Sequence, residues 1–227
     1  ASRTQAAEMI RAGGVGVNSR IVRSPVVWVD PKKDNITLDA EPLRQKKLIY
    51  LAMNKPVGVV TTRSDERGRG TVYDLLSNDS RWLFPVGRLD KDSSGLLLFT
   101  NDTRFGDKVT SPSGKVPKTY LVQVDKVLQP YDCRLMQSSF VLSDGTVLRP
   151  AKVTVDDGCK KDFRITIVEG KNREIRRMCS ELGYKVRTLK RVSIGLVILG
   201  SLGEGKVRPL APHEVHALMP ERGALQT

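Results

Sequence analysis

The sequence is poor in the features that most directly announce a chemistry. Its three cysteines, Cys133, Cys159 and Cys179, lie far apart without metal-ligand spacing, so neither a zinc site nor a disulfide framework is indicated. A reducing compartment is the simple reading. No run of about 18 apolar residues occurs, which argues against a membrane-spanning helix. No basic amphipathic helix stands out either, so an anionic lipid surface is not an expected partner. The glycine fingerprint of dinucleotide sites, a phosphate-cradling loop ending in Lys-Ser and a metal-ligand cluster are all missing, and no cofactor is expected. There is no signal peptide, and because the chain begins with Ala rather than Met, an upstream extension or transit segment could precede it.

What the chain has in abundance is positive charge. A net charge of +13 over 227 residues points to a polyanionic partner, because such a field concentrates phosphate chains and speeds their association. That length suits one large domain or a large and a small one. Residues 1–44 carry seven Lys or Arg against five Asp or Glu. Most of the excess therefore lies in the remainder, and both parts must share the polyanion contact.

Two units are expected, 1–44 and 48–227. In the first, Ser2 with Gln5 forms a capping-box pattern, Ala6, Ala7 and Ile10 supply an apolar stripe, and Gly13-Gly14 end the helix. Val15 to Ile21 reads as two short strands around Asn18-Ser19. Arg3, Arg11, Arg20 and Arg23 ride on these elements. Pro42 and the polar stretch Gln45 to Lys47 mark the boundary. The second unit should open with a strand over Leu48–Met53, a turn at Asn54-Lys55-Pro56, and a strand near Gly58–Thr62. Residues 64–70 contain no large apolar residue and read as a mobile loop, with Arg63, Arg67 and Arg69 available to phosphates. Beyond it the pattern predicts a short helix over Asn101–Val109, an alternating strand over Lys118–Val124, and strands over Pro150–Val155 and Phe163–Val168 joined by a turn at Asp156–Lys161. A helix over Asn172–Leu182 should end at Gly183. Its residues Ile175, Met178, Cys179 and Leu182 make an apolar face, with Arg173, Arg176 and Arg177 beside it. Strand-like sequence to Pro209 and a helix over Pro212–Leu218 close the chain.

The stretch around which all this is organised is Phe84 to Asp102, FPVGRLDKDSSGLLLFTND. Gly95 to Thr100 reads as a strand buried on both faces. Asp90 stands just before it, where burial disfavours a carboxylate's charged form unless a cation or hydrogen bonds support it. An isolated Asp beside a turn would ordinarily be a turn cap.

Here the surrounding residues change that reading, because the stretch closely resembles motif I of the pseudouridine synthases, in the RsuA-type branch that modifies ribosomal RNA. On that resemblance Asp90 is the family's indispensable carboxylate. Lys118 to Val124 resembles motif II, which makes Tyr120 the residue that stacks on the target uracil and is available for proton transfer. Glu169 to Met178, EGKNREIRRM, resembles motif III, which brings a basic residue to the carboxylate. By position that residue is Arg176, with Lys171 as runner-up. Leu189 to Gly195 also recurs in the family. Residues 1–43 resemble the RNA-binding domain first described in small-subunit ribosomal protein four, with Ser19 where a Gly is usual. The implied architecture is α+β: a small, helix-rich N-terminal RNA-binding domain, then a catalytic domain with a mixed, mainly antiparallel sheet flanked by helices. The implied activity is isomerisation of uridine to pseudouridine in ribosomal RNA or an assembly intermediate. A carboxylate could serve it as nucleophile or as base. Arg88 is the candidate wedge for the flipped base. Lys118, Lys171, Arg173 and Arg177, with Arg3, Arg11 and Arg20, are the further candidates for RNA contacts. A monomer in a bacterial cytoplasm or an organelle matrix is expected. The competing readings are an RNA-binding protein of the ribosome without catalysis, and a glycosidic hydrolase, for which Asp92 stands too near in sequence to be the second carboxylate.

Overall fold

The computed structural model describes residues 3–30, 33–43, 47–76, 82–155 and 161–219. The chain forms two units, Ala1–Lys47 and Leu48–Thr227.

In the first unit a helix, α1 (Arg3–Arg11), gives way at Gly13, whose φ of 84° ends it in the left-handed region. Strands β1 (Val15–Val17), β2 (Arg20–Val22), β3 (Ile36–Leu38) and β4 (Glu41–Pro42) follow, forming one antiparallel sheet in the order β2-β1-β3-β4. Asn18-Ser19 and Asp39-Ala40 both take positive φ, the geometry whose twist matches a two-residue hairpin. Ser19 therefore makes the turn that a Gly would make more easily. The unit is a small antiparallel sheet with a single helix, not the helix-rich module expected from the sequence. The second hairpin escaped notice because Asp39-Ala40 carries no Gly or Asn to announce it. Of the expected capping pair, Ser2 lies outside the described residues.

The second unit begins with β5 (Tyr50–Lys55), which runs through the expected turn at Asn54-Lys55 and stops only at Pro56. The strand expected near Gly58–Thr62 is reduced to a single bridge between Val60 and Thr71. The loop beyond it is tied rather than loose, since Asp65 accepts hydrogen bonds from the backbone of Arg67 and Arg69 and pairs with the Arg69 guanidinium. Next come β6 (Phe84–Val86), β7 (Ser94–Thr100), α2 (Thr103–Thr110), β8 (Lys118–Val124) and α3 (Pro130–Met136). A small hairpin of β9 (Phe140–Val141) and β10 (Val147–Leu148) leads to β11 (Lys152–Val155) and β12 (Asp162–Ile167). The turn expected between these last two lies largely outside the described residues. The unit closes with α4 (Glu174–Glu181), β13 (Val186–Ile194), β14 (Val197–Ile198), β15 (Val207–Pro209) and α5 (Pro212–Leu218).

The main sheet has the order β11-β12-β8-β13-β7-β5-β15, with β14 on β13 and β6 on β7. Among the described strands of this sheet only β13 and β7 pair in parallel, so the sheet is mixed and mainly antiparallel. Inside it, between β13 and β5, runs β7, and alternation along that strand divides the interior in two. Leu97 and Phe99 join Met53, Tyr120, Ile175 and Met178 on one face, which α3 and α4 cover. Leu96 and Leu98 join Ala52, Phe105, Val109 and Leu218 on the other, under α2 and α5. Each fully buried large side chain contributes roughly 1.5–3 kcal/mol, which explains why four consecutive apolar residues specify a central strand. None of the described helices is long and apolar enough to cross a membrane.

Candidate active site

Asp90 sits in the turn between β6 and β7, closed by the Ser93 N–H donating to the Asp90 carbonyl at 3.1 Å. Gly95 makes this turn possible. Its φ is 99°, and a Cβ there would lie 2.2 Å from the Arg191 carbonyl oxygen on the neighbouring strand. The turn opens onto a cleft of about 780 Å³ between the sheet and the start of α4. That is room for a nucleotide.

The cleft gathers most of the residues expected from the sequence. Asp90 and Tyr120 both line it, together with Lys118, Lys171, Arg173 and the exposed Arg88. Tyr120 is 7% exposed on β8, and its hydroxyl accepts from Arg191 Nη1 at 3.4 Å. Lys118 donates to the Val116 carbonyl, and burial together with the nearby Arg191 charge lowers its pKa. Lys171 reaches the Val147 carbonyl and lies 3.6 Å from Glu169. It makes no ion pair with Asp90.

The cation at Asp90 differs from the expected one. Helix α4 starts at Glu174, and Arg173 is its N-cap with a left-handed backbone, φ 47° and ψ 32°. This costs a non-glycine residue of order 1 kcal/mol or more. It turns the Arg173 guanidinium onto motif I, with Nη1 3.5 Å from Asp90 Oδ2 and Nη2 3.2 Å from Asp92 Oδ2. Arg176, one turn further on, is instead 12% exposed and braced against Asp92. Its Nη2 donates to the Asp92 carbonyl at 2.8 Å, its Nη1 to the Val186 carbonyl at 3.4 Å, and its Nε stands 3.4 Å from Asp92 Oδ2. Burial opposes ionisation of Asp92, but the Arg173 hydrogen bonds and the Arg176 charge prevail and hold its pKa below the ordinary value. Arg177 pairs with Asp144, away from the cleft. Arg11 and Arg20 belong to the other unit, as does Arg3, whose side chain is not among those described. Of the loop arginines, Arg63 lies over the rings of Tyr73 and Trp82, and Arg69 is held by Asp65.

Three features of the site went unnoticed in the sequence. Lys55 is fully buried, its Nζ donating to the carbonyls of Pro56 and Ser93 at 2.8 Å. Arg191 is 3% exposed and lines the cleft, its Nε donating to the Leu96 carbonyl at 2.7 Å. Both extend an alternating core face, Leu51, Met53, Lys55 and Leu189, Arg191, and that period of two was the available signal. Glu174, 3% exposed, accepts from the Lys171 N–H, and burial, reinforced by Glu169 nearby, raises its pKa to about 7.

The sequence profile of the RNA pseudouridylate synthase family matches residues 49–181. Over 96% of its length the chain is 36% identical to the ribosomal large subunit pseudouridine synthase B of Bacillus subtilis, of which it covers 90%. It is 38% identical over 94% of its length to the dual-specificity RNA pseudouridine synthase RluF of Salmonella typhi, covering 73% of that protein. A crystal structure of a pseudouridylate synthase superimposes with a TM-score of 0.72 at 33% identity, over 96% of this chain and 94% of the other. The profile match, the identity to these two relatives and the fold shared with the crystal structure together place the chain in the RNA pseudouridine synthases, within the RsuA/RluB/RluF family.

Proposed function

We propose that this synthase isomerises uridine in ribosomal RNA, with Asp90 as the carboxylate that acts at the ribose, as nucleophile or as base, and Tyr120 stacked on the uracil. The convergence of Asp90 and Tyr120 in one cleft lined by Lys118, Lys171 and Arg173 supports this reading most strongly. In the reaction the C1′–N1 bond breaks, the uracil turns, and a C1′–C5 bond forms. C5 loses a proton and N1 gains one, so no oxidant, reductant or group donor enters. The target base must leave its stack, at a cost of a few kcal/mol, and Arg88 at the rim is long and exposed enough to occupy the vacated space. Arg173 rather than Arg176 is the cation that meets Asp90, and Arg176 braces the turn. Residues 1–44 act as the RNA-binding module, with Arg3, Arg11 and Arg20 as its candidate phosphate contacts. The ribosomal substrate is favoured by the name of the Bacillus subtilis relative.

The test is Asp90→Asn, assayed for pseudouridine formation in ribosomal RNA and for RNA affinity. Formation should be abolished while affinity stays near that of the parent. Activity within about tenfold of the parent, a difference of only ~1.4 kcal/mol in barrier, would refute the assignment.

A further inference from the structure

Two buried cations flank the head of β7. In the sheet Lys55 of β5 and Arg191 of β13 are both in register with Gly95, one on each side. Neither belongs to the exposed basic surface, since their exposures are 0% and 3%. Taking a lysine ammonium out of water is costly, and such a group persists only where its donors and charge are used. Lys55 uses two donors on the carbonyls of Pro56 and Ser93. The second contact leads directly to the catalytic turn, because Ser93 N–H is the donor to the Asp90 carbonyl.

Arg173, the direct partner of Asp90, is placed very differently. It is 45% exposed at the cleft mouth, shared between two carboxylates, on a strained cap. An incoming phosphodiester competes for such a guanidinium, which binds phosphate as readily as carboxylate. A cation behind Asp90 would not be withdrawn in this way.

We propose that Lys55 is a positioning residue for Asp90: it fixes the Asp90–Ser93 turn and, with Arg191 beside it, supplies a positive charge at the carboxylate that bound RNA cannot remove. This rests on the reading of Asp90 as the reacting carboxylate. The charged groups that face Lys55 are Asp90 and Asp92 from the turn and Arg191 from β13. Burial outweighs the two carboxylates and lowers the Lys55 pKa from 10.5 to about 8. Lys55 is therefore charged below about pH 8 and loses its charge as the pH rises through that value.

The experiment measures single-turnover rates at saturating RNA between pH 6.5 and 9.5 for the parent, Lys55→Met and Asp90→Asn, with RNA affinity and thermal melts on the same proteins. The parent should lose rate as pH rises through about 8. Lys55→Met should be slower by roughly tenfold to a hundredfold at pH 7, the cost of a misplaced reacting group, with unchanged affinity and no alkaline fall. A folded Lys55→Met with parental rate and pH profile overturns the proposal, and so does a rate loss that leaves the alkaline fall in place. An active Asp90→Asn overturns the reading of Asp90 itself, and the proposal with it, whereas an inactive one beside a fully active Lys55→Met overturns the proposal alone. If Lys55→Met does not fold, NMR titration of labelled lysine ammonium groups in the parent and in Asp90→Asn decides. The Lys55 midpoint should lie near 8 and fall when the Asp90 charge is removed. An ordinary midpoint, or one indifferent to Asp90→Asn, refutes the coupling.

Discussion

Replacing Arg173 and Arg176 in turn by Met should have opposite consequences, although both arginines lie on the same short segment and touch the same turn. Arg176 is nearly buried, and its bond to the Asp92 carbonyl at 2.8 Å is a short, charge-assisted one. Such bonds contribute about 1.5–3 kcal/mol, while the 3.4 Å contact to Val186 adds little. Loss of Arg176 should therefore cost about 2–3 kcal/mol of stability. Arg173 is almost half exposed, and its pairs with Asp90 and Asp92 are screened by solvent. Their loss should cost no more than about 1 kcal/mol. Urea denaturation, with midpoints compared at constant slope, measures the difference. Melting temperatures should separate the variants by several degrees, at about 2–4 °C per kcal/mol for a protein of this size. Single-turnover rates then divide the roles: Arg173→Met should stay folded and lose rate, whereas Arg176→Met should lose stability first. A stable but inactive Arg176→Met beside a fully active Arg173→Met would refute the assignment and return Arg176 to the position of Asp90's partner.

Gly95→Ala should be among the most damaging single substitutions. Its Cβ would meet backbone on the adjoining strand at 2.2 Å, at a φ of 99°, so a loss of about 3 kcal/mol or more is expected in the same urea assay. Glu174→Gln should stabilise the protein in a pH-dependent way. Burial raises the Glu174 pKa from 4.5 to about 7, so its contribution is fully present below pH 4.5 and is lost as pH rises through 7. The variant should exceed the parent by about 1–3 kcal/mol at pH 8 and match it near pH 4.5, and an equal gain at both values would exclude this origin.

By itself the sequence determined what depends on local pattern. Four apolar residues between Gly95 and Thr100, bounded by turn residues, read as a doubly covered strand, the alternation over Lys118–Val124 put Tyr120 on one face with Val122 and Val124, and the charge balance pointed to a polyanion. The local pattern around Asp90 suited a turn cap, and it was the resemblance of the whole stretch from Phe84 to Asp102 to a known motif that singled the residue out. The tertiary structure decided which charges meet. Helical spacing places Arg173, Arg176 and Arg177 near one another but gives no sign that Arg173 caps the helix in a left-handed conformation, which a non-glycine residue rarely adopts. That one backbone angle exchanges the expected partner of Asp90 for another. Lys55 and Arg191 were likewise hidden, one in an apparent turn and one in a basic strand, because their burial follows from the register of β5 and β13 on β7. Register between strands distant in sequence is fixed by the packing of the whole sheet, and no local stretch of residues contains it.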